Sequence, residues 1–268
     1  MHAYIGSPCF DFKSHVTSFL LFGFVLTIAI TLEKGMSYSN PSIDCPLCPR
    51  LVMFREANRL QYPGFFNGPV PSFGGLDAPF LVVGLAPGLK GANRTGRPFT
   101  GDYAGLVLYE ALGKNGFAAG EYDPEKVAKS ADHAADGFYL INCRISNAVR
   151  CVPQENKPEP SEIKTCNGYL KDEIASMPNL EVILSLGLVS HKAVLLALGQ
   201  KQSAFTFAHG AIHSLQLATR NLQLLNTYHS SRYNINTGRL TQAMFDAVVE
   251  KAATLLARPV VRQKELAV

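Results

Sequence analysis

The chain of 268 residues has a formal net charge of +4 at pH 7, contains no tryptophan and is 47% hydrophobic. This length allows one α/β domain with a sizeable core, and the moderate charge is typical of a globular protein rather than a disordered one. So small a net charge permits nucleic-acid binding without indicating it, and the positions of the cations therefore matter more than their sum.

The first apolar segment covers residues 16–32, VTSFLLFGFVLTIAITL, which contain no charge. Its 17 residues are near the lower limit of about 17–25 for a membrane-spanning helix. A signal peptide is disfavoured, because Asp11 and Lys13 precede the segment in place of a positive cluster and no small-residue cleavage pattern follows. A membrane anchor is a second interpretation. We favour a third, an upstream start-site artefact with the natural start at Met36.

This interpretation divides the chain into an N-terminal extension of residues 1–35, one domain of residues 36–258 and a frayed tail of residues 259–268. The domain begins with two cysteines in a C-x-x-C pattern, and two more cysteines flank the proline-rich segment 152–160, VPQENKPEP. Four thiolates in two pairs could hold zinc or a [4Fe–4S] cluster, and their spacing does not distinguish the two. Two disulfides are a third alternative. Reduced thiolates would indicate a cytoplasmic protein.

A buried strand is predicted at residues 80–83, FLVV, which end abruptly in a loop rich in glycine. In open parallel sheets, ligands bind where strands end in such loops. The loop is either a tight connection or a site where backbone amides and cations meet an anionic polymer. A nucleotide P-loop is excluded, because a pattern starting at Gly84 needs glycine at the position of Leu89.

Beyond this loop, strand and helix patterns alternate along the chain. Further strands are predicted at residues 138–142, 181–187 and 222–228, and helices at residues 104–116, from about 160 through Cys166, 191–198 and 239–258. Alternation of this kind produces a parallel sheet covered on both faces. The sequence therefore predicts an α/β fold, a three-layer α/β/α sandwich with a central, mainly parallel four-stranded sheet.

Three motifs together resemble the uracil-DNA glycosylase superfamily, and more specifically its family 5, the B type of bacteria and archaea. They are GLAPG at residues 84–88 with NRTGRPFTGD at 93–102, NAVRC at 147–151, and HSSRYN at 229–234. The resemblance covers residues 43–258. It implies a monofunctional DNA glycosylase that flips uracil, and other deaminated bases such as hypoxanthine, out of double-stranded DNA and leaves an abasic site. A monomer without an obligate protein partner is expected.

The resemblance assigns roles to residues of each motif. Asn147 would read the Watson–Crick edge of uracil, Phe99 would stack on the flipped base, and His229 would donate a hydrogen bond to uracil O2 as the base leaves. Three residues of the first motif are expected to complete the base pocket: Gly84, Leu85 and Ala86. Without the resemblance, Asn147 would be interpreted as a turn former, Phe99 as a core residue and His229 as a structural hydrogen-bonding group.

The residue that handles water is less obvious from the motifs. Leu85 and Ala86 cannot orient water, and family 5 shares this absence. The nearest carboxylate, Asp102, is the candidate for stabilising the sugar cation or positioning water, and it also suits a cap of the following helix. An alternative function is a non-catalytic iron–sulfur module that binds DNA or senses lesions, but the presence of Asp102, Asn147 and His229 argues against it. Leu85 also argues against a family 4 enzyme, which carries glutamate there.

Families 4 and 5 carry a [4Fe–4S] cluster with two cysteines before the first motif and two after the second. The resemblance therefore favours iron–sulfur over zinc at Cys45, Cys48, Cys151 and Cys166. We expect a structural cluster that presents cations such as Arg150 and Lys157 on a fixed surface. Its loss should weaken DNA binding before it affects chemistry.

The expected DNA contacts lie in or beside the motifs. They are Arg94, Arg97, Arg150, Ser231, Arg232 and Tyr233. The third motif departs from the superfamily pattern, because Ser230 stands where proline is common and Tyr233 where glutamine is expected. These departures concern the rigidity of this loop and its insertion into DNA.

Overall fold

The computed structural model describes residues 38–130, 132 and 134–256. The predicted extension of residues 1–35 and the predicted tail of residues 259–268 lie outside these ranges. Within them, no helix has both the length and the apolar character needed to cross a membrane. The apolar segment 16–32 is not among the described residues, so its interpretation stays a prediction.

Among the described residues, five strands form a central sheet and two form a small antiparallel ribbon. In chain order the strands are β1 (Phe80–Gly84), β2 (Ala118–Ala119), β3 (Tyr139–Leu140), β4 (Cys143–Asn147), β5 (Val182–Leu186), β6 (Ile212–Gln216) and β7 (Asn221–Thr227). The central sheet has the order β4-β1-β5-β7-β6. Its first four strands are parallel, and β6 pairs antiparallel with β7.

Helices connect these strands and cover the sheet. They are α1 (Pro49–Gln61), α2 (Ala92–Thr95), α3 (Tyr103–Lys114), α4 (Pro124–Ala128), α5 (Pro160–Ala175), α6 (Leu188–Ala197), α7 (Arg232–Asn236) and α8 (Gln242–Leu255). Two short 3₁₀ turns lie at Gln154–Asn156 and Gln202–Ala204.

The side chains of β1 show how the sheet divides the core. Phe80 and Val82 belong to a cluster that includes residues of α3 and α8, whereas Leu81 and Val83 belong to a second cluster with residues of α5 and α6. Successive residues of a strand point to opposite faces, so β1 serves both layers and is apolar throughout. The predicted three-layer α/β/α sandwich with a mainly parallel sheet is confirmed.

Two details of the predicted sheet are wrong. The sheet has five strands rather than four, because the half-exposed edge strand β6 carries a polar pattern, IHSLQ, that did not read as a strand. The strand predicted at residues 138–142 is also displaced. Tyr139–Leu140 joins the small ribbon, while the central strand is Cys143–Asn147. Its buried polar residues interrupt the apolar pattern that predicts a central strand.

Candidate active site

A cavity of about 610 Å³ opens at the carboxyl ends of β1, β4 and β7. Its lining combines the loop after β1, residues Phe99 to Ala104 in part, Asn147 at the end of β4, and the segment that follows β7. This volume is within the range of about 300–1,000 Å³ that small-ligand pockets occupy. All three sequence motifs therefore converge on one pocket at the edge of the sheet where parallel strands bind ligands.

The first two motifs are joined by the pairing of β1 with β4. Gly84 stands opposite Asn147 in this register. The pairing continues past the strand ends, where the Ala148 amide donates to the Gly84 carbonyl at 2.9 Å and the Val149 amide donates to the Leu85 carbonyl at 3.0 Å. These bonds make the floor of the pocket an extension of the sheet.

Gly84 has no room for a side chain. A Cβ at this position would lie 2.4 Å from Asn147 Oδ1 and 2.6 Å from Phe99 Cζ. Both contacts are far shorter than van der Waals distance, so only glycine lets these two side chains approach the strand.

Asn147 is the last residue of β4, so it is a strand residue rather than a turn former. It is only 3% exposed, and its Oδ1 has no hydrogen-bond partner among the described residues. A buried acceptor without a partner is costly, and most such groups in proteins are paired. A ligand with an N–H group at this point of the pocket would satisfy it.

Phe99 lies against the same glycine and is 6% exposed. Its backbone has φ of 52°, a left-handed conformation that is uncommon for a bulky side chain. The turn packs tightly onto α3, because a Cβ at Gly105 would lie 1.7 Å from the Phe99 carbonyl oxygen. The ring centroid of Phe99 is 6.1 Å from that of His229, with 31° between the planes.

Arg97 supports this turn from inside the protein, which corrects its prediction as a DNA contact. Its side chain is fully buried and makes a bidentate ion pair with Asp136 at 2.8 and 2.6 Å. The guanidinium lies 5.1 Å from the ring of Phe73 and 5.4 Å from that of Phe138. Burial alone would raise the pKa of Asp136, but the bonds from Arg97 and two backbone amides hold it below its usual value.

Asp102 caps α3, as one of its two predicted roles requires. One carboxylate oxygen, Oδ1, accepts from the Gly105 amide at 3.0 Å. The other, Oδ2, has no hydrogen-bond partner in the part of the chain that the structure describes, and it faces the loop after β1. A Cβ would lie 3.3 Å from Oδ2 at Gly88 and 2.5 Å from it at Gly91. These two glycines leave space for an unpaired oxygen at the pocket.

His229 follows β7 and lines the pocket with its ring. Neither ring nitrogen has a hydrogen-bond partner among the described residues. Burial lowers the pKa of His229 below its ordinary value of 6.5, while the nearby Asp102 carboxylate acts in the opposite direction. The imidazole is therefore neutral at pH 7, with one N–H available to a ligand.

The rest of the third motif holds His229 in place. The Ser230 hydroxyl is buried and donates to the Ala104 carbonyl at 3.1 Å, which ties the loop to α3. Ser231 caps α7 by accepting from the Asn234 amide at 3.3 Å, and the Asn234 side chain donates to the His229 carbonyl at 2.8 Å. Hydrogen bonds thus restrain the loop at the position where proline is common.

Of the remaining predicted DNA contacts, three lie near the surface. Arg232 lines the pocket with its guanidinium 5.3 Å from the ring of Tyr103, and Tyr233 is 72% exposed. Arg94 is paired with Glu125 at 2.8 and 2.9 Å.

Lys90 and Asn156 also line the pocket. Asn156 had no signal in the motifs, since it belongs to the proline-rich loop between two cysteines.

Arg150 is also buried, and the expectation that it is presented on the surface is wrong. Its guanidinium donates to Glu173 at 2.6 Å, as does that of Arg144, and the Ser146 hydroxyl completes the set at 2.6 Å. Glu173 is fully buried. Burial would raise its pKa, but the two arginines hold it below the usual value. This network lies behind β4 and fixes the strand that ends in Asn147.

The four predicted cysteine ligands line a second, largely apolar cavity. All four are free thiols, and the Arg150 amide donates to Cys166 Sγ at 3.4 Å. Burial and the neighbouring thiols raise the pKa of Cys48 to about 11. Burial, again with neighbouring thiols, raises that of Cys151 to about 12. Four thiolates here would therefore require a cationic centre.

The surroundings of the cysteines bear on what they could hold. The buried side chain of Arg55 donates to the Cys45 carbonyl at 3.1 Å and places a positive charge beside the thiols. Within the described ranges, no three His, Cys, Asp or Glu side chains are arranged to hold a single metal ion. Four sulfur donors around one cavity are the ligands that zinc and iron–sulfur centres take from proteins.

Comparison with known proteins agrees with this architecture. The sequence model of the uracil DNA glycosylase superfamily matches residues 71–253. The chain is 39% identical over 216 residues to a type-5 uracil-DNA glycosylase of Thermus thermophilus, a match that covers 79% of this chain and 93% of the relative. It is 33% identical over 220 residues to the type-5 uracil-DNA glycosylase of Pyrobaculum aerophilum, covering 81% and 91%. Identity to a type-4 uracil-DNA glycosylase of that archaeon is 30% over 178 residues, covering 66% and 79%.

The parallel α/β fold, the pocket and these relatives define an enzyme class, the hydrolases that act on N-glycosyl bonds. The family match spans most of the chain, and the two type-5 relatives are covered almost completely. The chain belongs to the uracil DNA glycosylase superfamily.

Proposed function

We propose that this protein excises uracil from DNA as a monofunctional glycosylase of the type-5 kind and accepts other deaminated bases such as hypoxanthine. The observation that carries the proposal is the unpaired, buried Oδ1 of Asn147 beside Phe99 and His229. An amide at this position can accept from N3–H and donate to O4 of a uracil flipped into the pocket. The names of the type-5 relatives support the same substrate.

In this proposal each pocket residue acts at one stage of the reaction. Phe99 stacks on the flipped base and offsets part of the energy lost on leaving the duplex. As the bond between C1′ and the base breaks, its electron pair moves onto the base, and the neutral His229 donates a hydrogen bond to the developing charge on O2. Asp102 Oδ2 faces the cationic sugar and orients the water that adds to C1′. The water loses a proton as it adds to C1′ and the departed base anion gains one, so the products are a neutral free base and an abasic site.

A single-turnover assay tests this function with the full chain and duplex oligonucleotides that contain uracil or hypoxanthine. We expect release of both bases, with strand cleavage appearing only after alkali treatment. Tight binding to the same duplexes without base release would instead favour the non-catalytic DNA-binding module. Activity on uracil alone would remove hypoxanthine from the proposal.

The role of Asp102 can be separated from its role as a helix cap. Asparagine also caps helices well, so Asp102→Asn should keep the fold while removing the negative charge from the pocket. We expect the single-turnover rate to fall by about 10²-fold. The matched control is Asp123→Asn, at the cap of α4 outside the pocket, where Asp123 accepts from the Glu125 amide at 2.9 Å. A full rate in a folded Asp102→Asn variant would contradict the catalytic assignment.

Gly84→Ala tests the close packing of the pocket floor. The added methyl group would collide with Asn147 and Phe99, so we expect base excision to be lost while the secondary structure measured by circular dichroism is kept. Gly168→Ala is the control, because a Cβ there meets nothing within 4 Å and alanine favours the helix. An active Gly84→Ala enzyme would show that Asn147 and Phe99 need not hold their observed positions.

We also infer that Cys45, Cys48, Cys151 and Cys166 hold a [4Fe–4S] cluster, with zinc as the alternative. One cavity lined by all four thiols and the adjacent cation Arg55 support this proposal. Four thiols in one cavity would suit zinc as well, and it is the resemblance to family 5 that favours the cluster. When bound, the cluster would cross-link α1, the loop after β4 and α5. Reduced thiols of this kind suit the predicted cytoplasmic location.

Metal analysis and thermal unfolding test the cluster. We expect brown protein that contains iron rather than zinc, and Cys166→Ser should lose iron and unfold at a lower temperature. Cys143→Ala is the control, since Cys143 is a buried residue of β4 and no part of the cavity. It should retain iron in full. Zinc in place of iron in freshly purified parent protein would establish the alternative.

A further inference from the structure

The loop between Cys151 and Cys166 contributes one residue, Asn156, to the lining of the pocket. Asn156 lies at the rim of the cavity although it is remote in sequence from Phe99 and His229. Its side chain is exposed and has no hydrogen-bond partner among the residues described. An amide group at the mouth of the pocket is therefore available to a bound nucleotide.

The backbone of this loop is held in a rarely used conformation. Glu155 has φ of 53° and Asn156 has φ of 57°, so two consecutive residues other than glycine are left-handed. Asparagine tolerates this conformation better than most residues, whereas glutamate does not. Backbone strain persists only where the surrounding structure imposes it, and it is often found at functional sites.

One arginine outside the loop contacts the residues on both sides of this left-handed pair. Arg50 of α1 donates to the Gln154 side chain and, at 3.2 Å, to the Lys157 carbonyl, so it holds the residues on both sides of the strained pair. The same guanidinium is fixed by Glu162 of α5 at 2.7 and 2.6 Å. Hydrogen bonds of Arg50 thus connect the segment that carries Asn156 to α1 and α5.

The chemistry of the rim indicates what Asn156 meets. The other exposed polar side chains at the mouth are those of Lys90 and Arg232, both cations. Cations at the mouth suit the phosphates that flank a flipped nucleotide, while the floor with Asn147 is left for the base. Asparagine is among the side chains that donate to phosphate oxygens in DNA complexes.

We propose that Asn156 donates a hydrogen bond to a phosphate that flanks the flipped nucleotide, and that Arg50 holds it in position. The inference rests on the proposed function, because it needs a nucleotide in the pocket. It gives the loop between the cysteines a direct contact with the substrate, in place of a purely structural role.

Substitutions at position 156 separate the side chain from the backbone. Asn156→Gly removes the amide but tolerates the left-handed backbone, and we expect the single-turnover rate on uracil duplex at subsaturating enzyme to fall by about 10-fold, as for one hydrogen bond to a charged group. Asn156→Asp keeps the shape but cannot donate and should fall further. The control is Asn142→Gly, a left-handed asparagine just before β4, at the strand end away from the pocket. It should keep the parent rate.

A modified substrate identifies the partner of Asn156. A methylphosphonate in place of either phosphate beside the uracil removes a charged acceptor, and at one of these positions the parent should slow while Asn156→Gly does not slow further. Arg50→Ala should reproduce the loss of rate seen with Asn156→Gly. The double variant Arg50→Ala/Asn156→Gly should be no slower than Asn156→Gly alone. Parent-like rates for Asn156→Gly or Asn156→Asp would overturn the inference, as would equal slowing of parent and Asn156→Gly at both linkages. Failure of the parent to release uracil would count against the proposed function instead.

Discussion

Replacement of His229 by alanine is expected to lower the single-turnover rate of uracil excision by about 10²–10³-fold, the usual cost of removing one donor to a developing oxyanion. The ring has no hydrogen-bond partner among the described residues, so its loss should leave the surrounding loop intact. That loop is fixed through the buried Ser230 hydroxyl and through Asn234, which donates to the His229 backbone carbonyl rather than to its ring. Binding to a duplex that carries a non-hydrolysable uridine should change much less than the rate.

His213→Ala is the matched control for this experiment. His213 lies on the edge strand β6, hydrogen-bonds to the Thr206 carbonyl at 3.0 Å and does not line the pocket. Its replacement should leave the rate unchanged. A His229→Ala enzyme as fast as the parent would show that another group stabilises the departing base.

The depressed pKa of His229 also sets the direction of the pH dependence. Because burial holds this pKa below 6.5, the imidazole stays neutral as the pH rises from neutrality, and no change of rate should arise from it there. Its contribution to stability is present above the unfolded pKa of about 6.5 and is lost as the pH falls through the folded pKa. For the rate, the ring becomes protonated only below its lowered pKa. The part of the acid limb of the pH–rate profile that His229 causes should therefore lie below pH 6.5.

Glu173→Ala is expected to destabilise the protein by about 3–5 kcal/mol, because it leaves two buried arginines without their common partner. Arg144 and Arg150 are 5% and 1% exposed, so water cannot replace the carboxylate. Urea unfolding of the parent and the variant measures the difference. Glu110→Ala removes the exposed pair with Lys114 and should change stability by less than about 1 kcal/mol.

The sign of the pH effect provides a second measurement on the same group. The folded pKa of Glu173 lies below its usual value, so its contribution to stability is present above the unfolded pKa and is lost as the pH falls through the folded pKa. Glu173→Gln should abolish this part of the acid sensitivity. Equal stability of Glu173→Ala and the parent at neutral pH would mean that the two arginines find other partners.

The sequence predicted those parts of the fold that obey simple periodicity. The strand at β1 is apolar on both faces because both faces are buried, and it was recognised from composition alone. Strand β4 was misplaced, since Arg144 and Ser146 are polar residues whose burial is compensated by Glu173, nearly thirty positions later in the chain. A pairing of that separation has no signature in local sequence.

In the candidate site, too, residues within local motifs could be predicted and residues that depend on distant partners could not. Asn147, His229, Phe99 and Asp102 were found through their motifs, and the structure brings all four to one pocket. The buried arginines could not be distinguished from surface cations, because the carboxylates that neutralise them are distant in sequence. Asn156 was missed for a related reason: its position depends on a left-handed backbone and on Arg50, neither of which a motif records.

The continuation of the β1–β4 pairing beyond the strand ends has a consequence for how the enzyme discriminates. Ala148 and Val149 are fully buried and hydrogen-bonded to the first motif, so the pocket floor beside Asn147 is expected to open only when the central sheet opens. The rim side chains come from separate short segments, and Asn156 is held there through Arg50. In the proposed function the base therefore meets groups fixed by the sheet, whereas the flanking phosphates meet side chains fixed by other connections. Substitutions at the rim can then change the affinity for DNA without changing the choice of base.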